Sequence, residues 1–185
     1  TRRCGAMLIF DEITIGWRMN YGGIHLKFGI DPDMAVFAKA LGNGLPIGAM
    51  LASDEVASAF VSGSHASTFG GTPLVTSVAA RVLKTLSDPA FLQRVREVGG
   101  YFMERLGELK DRYSFIREVR GRGLLIGMEL DLPGQKFVER CLEKGAIINC
   151  THDTVLRFVP PLIVEKTDID DFIRILDGVL REETI

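Results

Sequence analysis

A lysine and an aspartate each close an apolar run in this sequence, 28 residues apart. Asp11 follows Met7-Leu-Ile-Phe10, and Lys39 follows Met34-Ala-Val-Phe-Ala38. Short continuous apolar runs of this kind read as buried parallel strands. In open α/β sheets ligands collect beyond the carboxyl ends of strands, so the two side chains can face one site. A lysine in that place is either a surface charge or a desolvated amine. Burial disfavours the ammonium form and leaves a nucleophile able to form an imine with an aldehyde.

An acid beside a ring nitrogen keeps that nitrogen protonated, while a lysine holds an aldehyde. That division of labour is how proteins equip pyridoxal 5'-phosphate as an electron sink. Ser67-Thr68-Phe69-Gly70-Gly71 precedes a helix that opens at Pro73. Its hydroxyls and amides can serve a phosphate, or the stretch can be a plain flexible loop. Arg157 lies between Leu156 and Phe158, just before Pro160-Pro161. It is either a solvent-facing strand residue or a planar fork for a carboxylate substrate. Gly42-Asn-Gly44-Leu-Pro-Ile-Gly48 has the wrong spacing and setting for a dinucleotide fingerprint. His65 near Ser64 and Ser67 lacks the Gly-x-Ser-x-Gly elbow of a hydrolase. Cys150 and His152 lack a second ligand pair, so no metal site is read. Glu12 has no role assignable from position, and His25 reads as satisfied or exposed. Trp17 and Tyr21 read as packing residues, and Arg18, Arg120 and Arg122 as turn or surface charges.

The elements that must position these groups follow from patterning. Strands are expected at 7–10, 34–38 and 46–52, with a short helix over 54–60 capped by Ser53 or Asp54. A helix runs from Pro73 to about Leu86, and Asp88-Pro89 breaks it. Phe91, Val95, Val98, Phe102, Leu106 and Leu109 recur at helical spacing, which predicts a long amphipathic helix to about Arg112. Strands at 115–119 and 124–130 form a hairpin around Gly121-Arg122-Gly123. A helix over 135–144, strands at 146–149 and 155–159, and a last helix from a Thr167 cap to about Arg181 complete the chain. The first half, residues 1–88, is thus α/β with buried parallel strands, and residues 89–185 form a smaller α+β unit.

The 185 residues are 46% hydrophobic and 25% charged, the balance of a soluble globular protein. A net charge of −2 leaves no electrostatic footprint for nucleic acid. The longest apolar runs are far too short to span a membrane. Three cysteines, Cys4, Cys141 and Cys150, read as free thiols in a reducing cytoplasm.

Five stretches in order resemble class III pyridoxal-phosphate-dependent aminotransferases. They are Leu8-Ile-Phe-Asp-Glu-Ile13, Ala38-Lys-Ala-Leu-Gly-Asn-Gly-Leu-Pro-Ile-Gly-Ala49, His65-Ala-Ser-Thr-Phe-Gly-Gly-Thr-Pro-Leu74, Val119-Arg-Gly-Arg-Gly-Leu-Leu-Ile-Gly127 and Val155-Leu-Arg-Phe-Val-Pro-Pro-Leu162. The resemblance implies a fold-type I transferase: the end of its large domain plus its small carboxyl-terminal domain. It implies that Lys39 binds the cofactor aldehyde and moves the substrate proton, and that Asp11 pairs with the pyridinium nitrogen. It implies that Thr68 binds the cofactor phosphate of the partner subunit in a homodimer, and that Arg157 holds the substrate α-carboxylate. Family members are longer, and the portion before Thr1 normally supplies the glycine-rich phosphate loop and a ring-stacking aromatic. From about His65 onward the chain resembles the acetylornithine and ornithine branch, which uses a 2-oxo acid such as 2-oxoglutarate as acceptor. Ile13-Thr-Ile-Gly-Trp-Arg-Met19 is closer to the glutamate-1-semialdehyde aminomutase branch. An intramolecular aminomutase and a catalytically silent assembly partner are the alternatives.

Overall fold

A computed structural model describes residues 1–16, 18 and 23–183. Trp17 and Tyr21 lie outside the described residues. The chain forms two compact units, Thr1–Leu92 and Gln93–Ile185.

The first unit holds a three-stranded sheet of β1 (Ile9–Asp11), β2 (Met34–Phe37) and β3 (Ala49–Ala52), in that order. β1 runs parallel to β2, as the apolar runs imply, but β3 returns antiparallel, so the sheet is mixed. The reason lies in the connection. Only a tight turn at Lys39–Leu41 and the Gly42–Gly48 loop join β2 to β3, with no crossover helix to bring the chain back parallel. The expectation of fully buried strands is also corrected. Ala35 and Phe37 are buried, but Ile9 is 54% exposed and Leu51 63% exposed.

Among the described residues three α-helices accompany this sheet. α1 (Ile24–Lys27) is a single turn that the sequence pattern does not announce. α2 (Asp54–Ala57) starts where Ser53 Oγ accepts a hydrogen bond from Val56 N–H at 3.4 Å. α3 (Pro73–Leu86) begins at its proline, whose missing N–H costs nothing in a first turn, and buries Val75, Ala79 and Leu86.

α4 (Pro89–Arg112) starts two residues earlier than its apolar stripe suggests. Asp88 Oδ1 accepts from Ala90 N–H at 2.9 Å, so Asp88-Pro89 opens this helix as well as ending the previous one. In the second unit its buried stripe of Val95, Val98, Phe102, Leu106 and Leu109 follows the expected spacing. The unit's sheet is antiparallel, in the order β4 (Ile116–Arg122), β5 (Leu125–Leu130), β7 (Val155–Phe158), β6 (Asn149–Thr151). The β4–β5 turn sits at Gly123-Leu124, one step beyond the expected Gly121-Arg122-Gly123, and Gly121 pairs with Ile126 inside the ladder. A Cβ on Gly99 would stand 2.3 Å from Gly123 O, so α4 rests directly on that turn.

α5 (Gln135–Glu143) precedes β6, which starts at Asn149 and not at the expected Ala146. The β6–β7 hairpin turns through the three residues 152–154, with His152 and Asp153 in the left-handed region at φ of 50° and 60°. That turn sets the register and pushes the strand toward the carboxyl end. α6 (Lys166–Arg181) is capped by Glu165, not Thr167: Asp168 Oδ2 accepts from Glu165 N–H at 2.9 Å. Ile169, Ile173, Leu176 and Leu180 form its buried stripe. Among the described residues no helix is long and apolar enough to cross a membrane.

Candidate active site

β1 and β2 are parallel neighbours, with Asp11 opposite Val36, so both chains leave the sheet at the same edge. Asp11 ends β1. Lys39 comes two residues after Phe37 and opens the tight turn at a φ of 48°, a left-handed conformation uncommon outside glycine. Lys39 Nζ donates to Thr14 Oγ1 at 2.7 Å, and Asp11 Oδ1 accepts from Ile13 N–H at 3.0 Å. Both anchoring groups belong to the turn that follows β1. The topology therefore brings an acid and an amine to one edge.

The two side chains are nevertheless exposed. Lys39 follows its strand as a solvent-exposed amine in this chain. The strand ends are open to water, since Asn43 and Gly44 beside them are exposed as well.

Glu12 is the residue that sequence reasoning passed over. It is 1% exposed, and its Oε1 lies 3.0 Å from His25 Nδ1 and accepts from His25 N–H at 3.3 Å. Glu12 Oε2 has no partner among the described residues. His25 is thus the satisfied histidine of its two readings, and its ring meets Phe10 and Phe37 edge-on at 5.7 and 6.5 Å. A signal was available: neighbouring strand residues face opposite sides, so an exposed Asp11 turns Glu12 inward.

Thr68 lies in a loop that is exposed from Val61 to Gly71. Ser67 Oγ accepts from Gly70 N–H at 2.9 Å and so shapes the loop, while the Thr68 hydroxyl makes no hydrogen bond among the described residues. Ser64 Oγ donates to Val61 O at 2.8 Å, and among the described residues no hydroxyl is hydrogen-bonded to His65.

Arg157 belongs to the second unit. It sits on β7, opposite Gly127 of β5 and Asn149 of β6. Its guanidinium is half-buried, has no partner among the described residues, and lines a cavity of about 400 Å³ with Phe102, Ile148, Phe158, Pro160 and Phe172. The following segment is pinned by Arg94, which donates to the carbonyls of Leu162, Ile163 and Val164 at 3.2, 3.0 and 2.8 Å. Such a site can take a carboxylate on its one cation and an apolar chain on its rings. No group of three or more possible metal ligands occurs among the described residues, Cys150 and His152 included. Burial pushes the Cys141 thiol up to about 11, so it is inert as a nucleophile.

The family model for class-III aminotransferases matches residues 1–180. An acetylornithine aminotransferase of Methanocaldococcus jannaschii is 48% identical over 179 residues, 95% of this chain and 44% of that protein. One from Aquifex aeolicus is 45% identical over 175 residues, 94% of this chain and 45% of that protein. Among solved structures, N-acetylornithine aminotransferase from Stenotrophomonas maltophilia K279a superposes with a TM-score of 0.87 at 30% identity, over 99% of this chain and 49% of that one. The chain spans less than half the length of the curated relatives it matches.

Proposed function

The chain belongs to the class-III aminotransferases, and we propose that it is the lysine-bearing part of a pyridoxal-phosphate-dependent enzyme. The reaction we assign moves the amino group of an ω-amino donor such as N-acetylornithine to a 2-oxo acid such as 2-oxoglutarate. The observation that carries this reading is the shared edge of β1 and β2, where Asp11 and Lys39 leave neighbouring parallel strands. The similarity to proteins named acetylornithine aminotransferase supports the choice of donor.

The donor set fits the cofactor: a carboxylate, a primary amine and a free hydroxyl, all reachable from solvent. When bound, pyridoxal phosphate supplies an electron sink for the charge left as a proton leaves the substrate carbon. Asp11 would hold the ring nitrogen protonated through its carboxylate. Lys39 would bind the aldehyde carbon through Nζ. Once released by the incoming amine, it would carry the substrate proton as a general base and return it as a general acid. Its contact with Thr14 Oγ1 ties Nζ to the turn that follows Asp11. Thr68 would donate its hydroxyl to the phosphate of a partner subunit, and the exposure of its loop, with Phe69 80% exposed, supports such a homodimer. Arg157 would hold the α-carboxylate with its planar fork. We place the enzyme in the cytoplasm, in keeping with its free cysteines. The aminomutase alternative draws on the stretch around Trp17, outside the described residues.

The test is an assembled enzyme in which the amino-terminal half of an acetylornithine aminotransferase completes this chain. Pyridoxal phosphate is expected to give a visible absorbance that borohydride bleaches, leaving the reduced cofactor on the Lys39 peptide. Label on another lysine, or none, refutes the reading.

A further inference from the structure

We infer that the buried Glu12–His25 pair sets the position of the Asp11 carboxylate and the Lys39 amine, an inference that rests on the roles proposed for those two groups. Among the described residues, each exposed group has one polar contact, and both contacts go to the turn that starts at Glu12. The backbone of Glu12 ties that turn to the sheet. Its N–H donates to Val36 O at 3.0 Å, adding one rung to the β1–β2 ladder, and its carbonyl accepts from Gly16 N–H at 3.0 Å.

The side chain ties the turn to a third element. Glu12 is wholly withdrawn from solvent, and its Oε1 receives both the ring and the backbone N–H of His25 on α1. The His25 ring in turn meets Phe10 of β1 and Phe37 of β2. There is no slack: a Cβ on Gly23 would lie 2.6 Å from Glu12 Oε1 and 2.7 Å from His25 Nδ1, and Gly23 takes a φ of 129°. A buried carboxylate with one oxygen unpartnered costs stability compared with an apolar residue of the same size. What it supplies in return is direction, since a buried polar contact fixes one geometry where apolar packing tolerates several. Glu12 and His25 are therefore positioning residues for the two exposed groups.

The test uses the full isotope-labelled chain without cofactor. Glu12→Ala is expected to speed hydrogen exchange at the Ile13 and Gly16 amides by about tenfold, the scale of one lost charge-assisted contact. It is also expected to move the Lys39 Cε and Nζ resonances. Glu12→Gln keeps an oxygen acceptor for His25 and is expected to restore both readouts to within about twofold. The amides of Leu106 and Phe137 in the other unit report global unfolding and should not change. If Glu12→Ala unfolds the first unit, His25→Ala, which leaves the backbone donor in place, carries the same readouts. A folded variant with wild-type exchange at Ile13 and Gly16 and unmoved Lys39 resonances overturns the inference, as does Glu12→Gln behaving like Glu12→Ala. Neither readout needs cofactor, so borohydride reduction onto a lysine other than Lys39 refutes the proposed function and leaves the positional measurement standing.

Discussion

The two units differ in how they treat apolar side chains. In the second, Leu106, Leu109, Leu124, Met128, Phe137, Leu156, Leu176 and Leu180 are completely buried. Among the described residues of the first, the most deeply buried large side chain is an acid, Glu12, while Met7, Ile9, Leu26, Phe28, Leu51 and Phe69 are all more than half exposed. If these side chains form one contiguous patch, it is of the kind that binding surfaces display. The second unit holds itself together. The first carries Asp11 and Lys39 on a sheet that buries Ala35 and Phe37 but leaves Ile9 and Leu51 exposed. Stability and reactivity are thus separable by region, and substitutions can test the separation from both sides.

The largest effect is expected at Lys39. In the assembled enzyme Lys39→Ala should lower turnover by roughly a thousandfold or more, because on the proposed roles it would remove both the attachment of the cofactor and the group that moves the proton. Denaturant unfolding of the second unit should not change. A loss of stability comparable to the loss of rate would break the comparison, since Lys39 would then be structural.

Next come two apolar truncations, one in each unit. Phe137 is wholly buried and stacks at 6.1 Å on Phe115. Phe137→Ala should cost about 3–5 kcal/mol in denaturant unfolding. Leu51→Ala, at a side chain 63% exposed, should cost less than about 0.5 kcal/mol in this chain. Equal costs would mean that the first unit has a sealed core after all. In the assembled enzyme Leu51→Ala becomes the sharper test, because a covered Leu51 would cost more there than in the chain alone.

What the sequence made legible follows the same division. Helices α3 and α4 could be placed because Pro73 marks a start and the Val95–Leu109 stripe keeps helical spacing over several turns. The edge carrying Asp11 and Lys39 was legible because both residues end apolar runs. The solvent exposure of Lys39 was not, because burial of a strand end depends on what packs over it, and no local pattern encodes that. The direction of β3 was missed for a different reason: an apolar run looks the same whichever way it pairs, and only the missing crossover helix decides. Glu12 was hidden by its own neighbour, since two adjacent acids read as one charged strand end until alternation is applied to them.

Arg157 tests the comparison inside the stable unit, where one unpaired cation faces a cavity. Arg157→Ala should raise KM for carboxylate substrates about tenfold or more, the scale of a charge-assisted hydrogen bond, and change kcat less. Unfolding should move little, since the guanidinium has no partner to lose among the described residues. An unchanged KM would make Arg157 a structural residue of β7.

The last effect concerns pH and separates the second unit's surface from its core. Tyr113 is 7% exposed, and its hydroxyl donates to Asp177 Oδ1 at 2.7 Å. Burial first, and then this hydrogen bond to an acid, raise its pKa above the ordinary value of 10.0. The unfolded chain releases the phenolic proton near pH 10 while the folded chain keeps it. The unfolded state then binds fewer protons, so stability falls as pH rises through that window, and the contribution is fully present below it. Tyr113→Phe should cost about 1 kcal/mol at neutral pH, the worth of one hydrogen bond, and should flatten the alkaline loss. Tyr101, raised chiefly by its hydrogen bond to Asp170, retains its own share of the slope. Unfolding measured at neutral pH and again above pH 10 checks this, and an unaltered alkaline slope in Tyr113→Phe would assign the effect to other groups, Tyr101 among them.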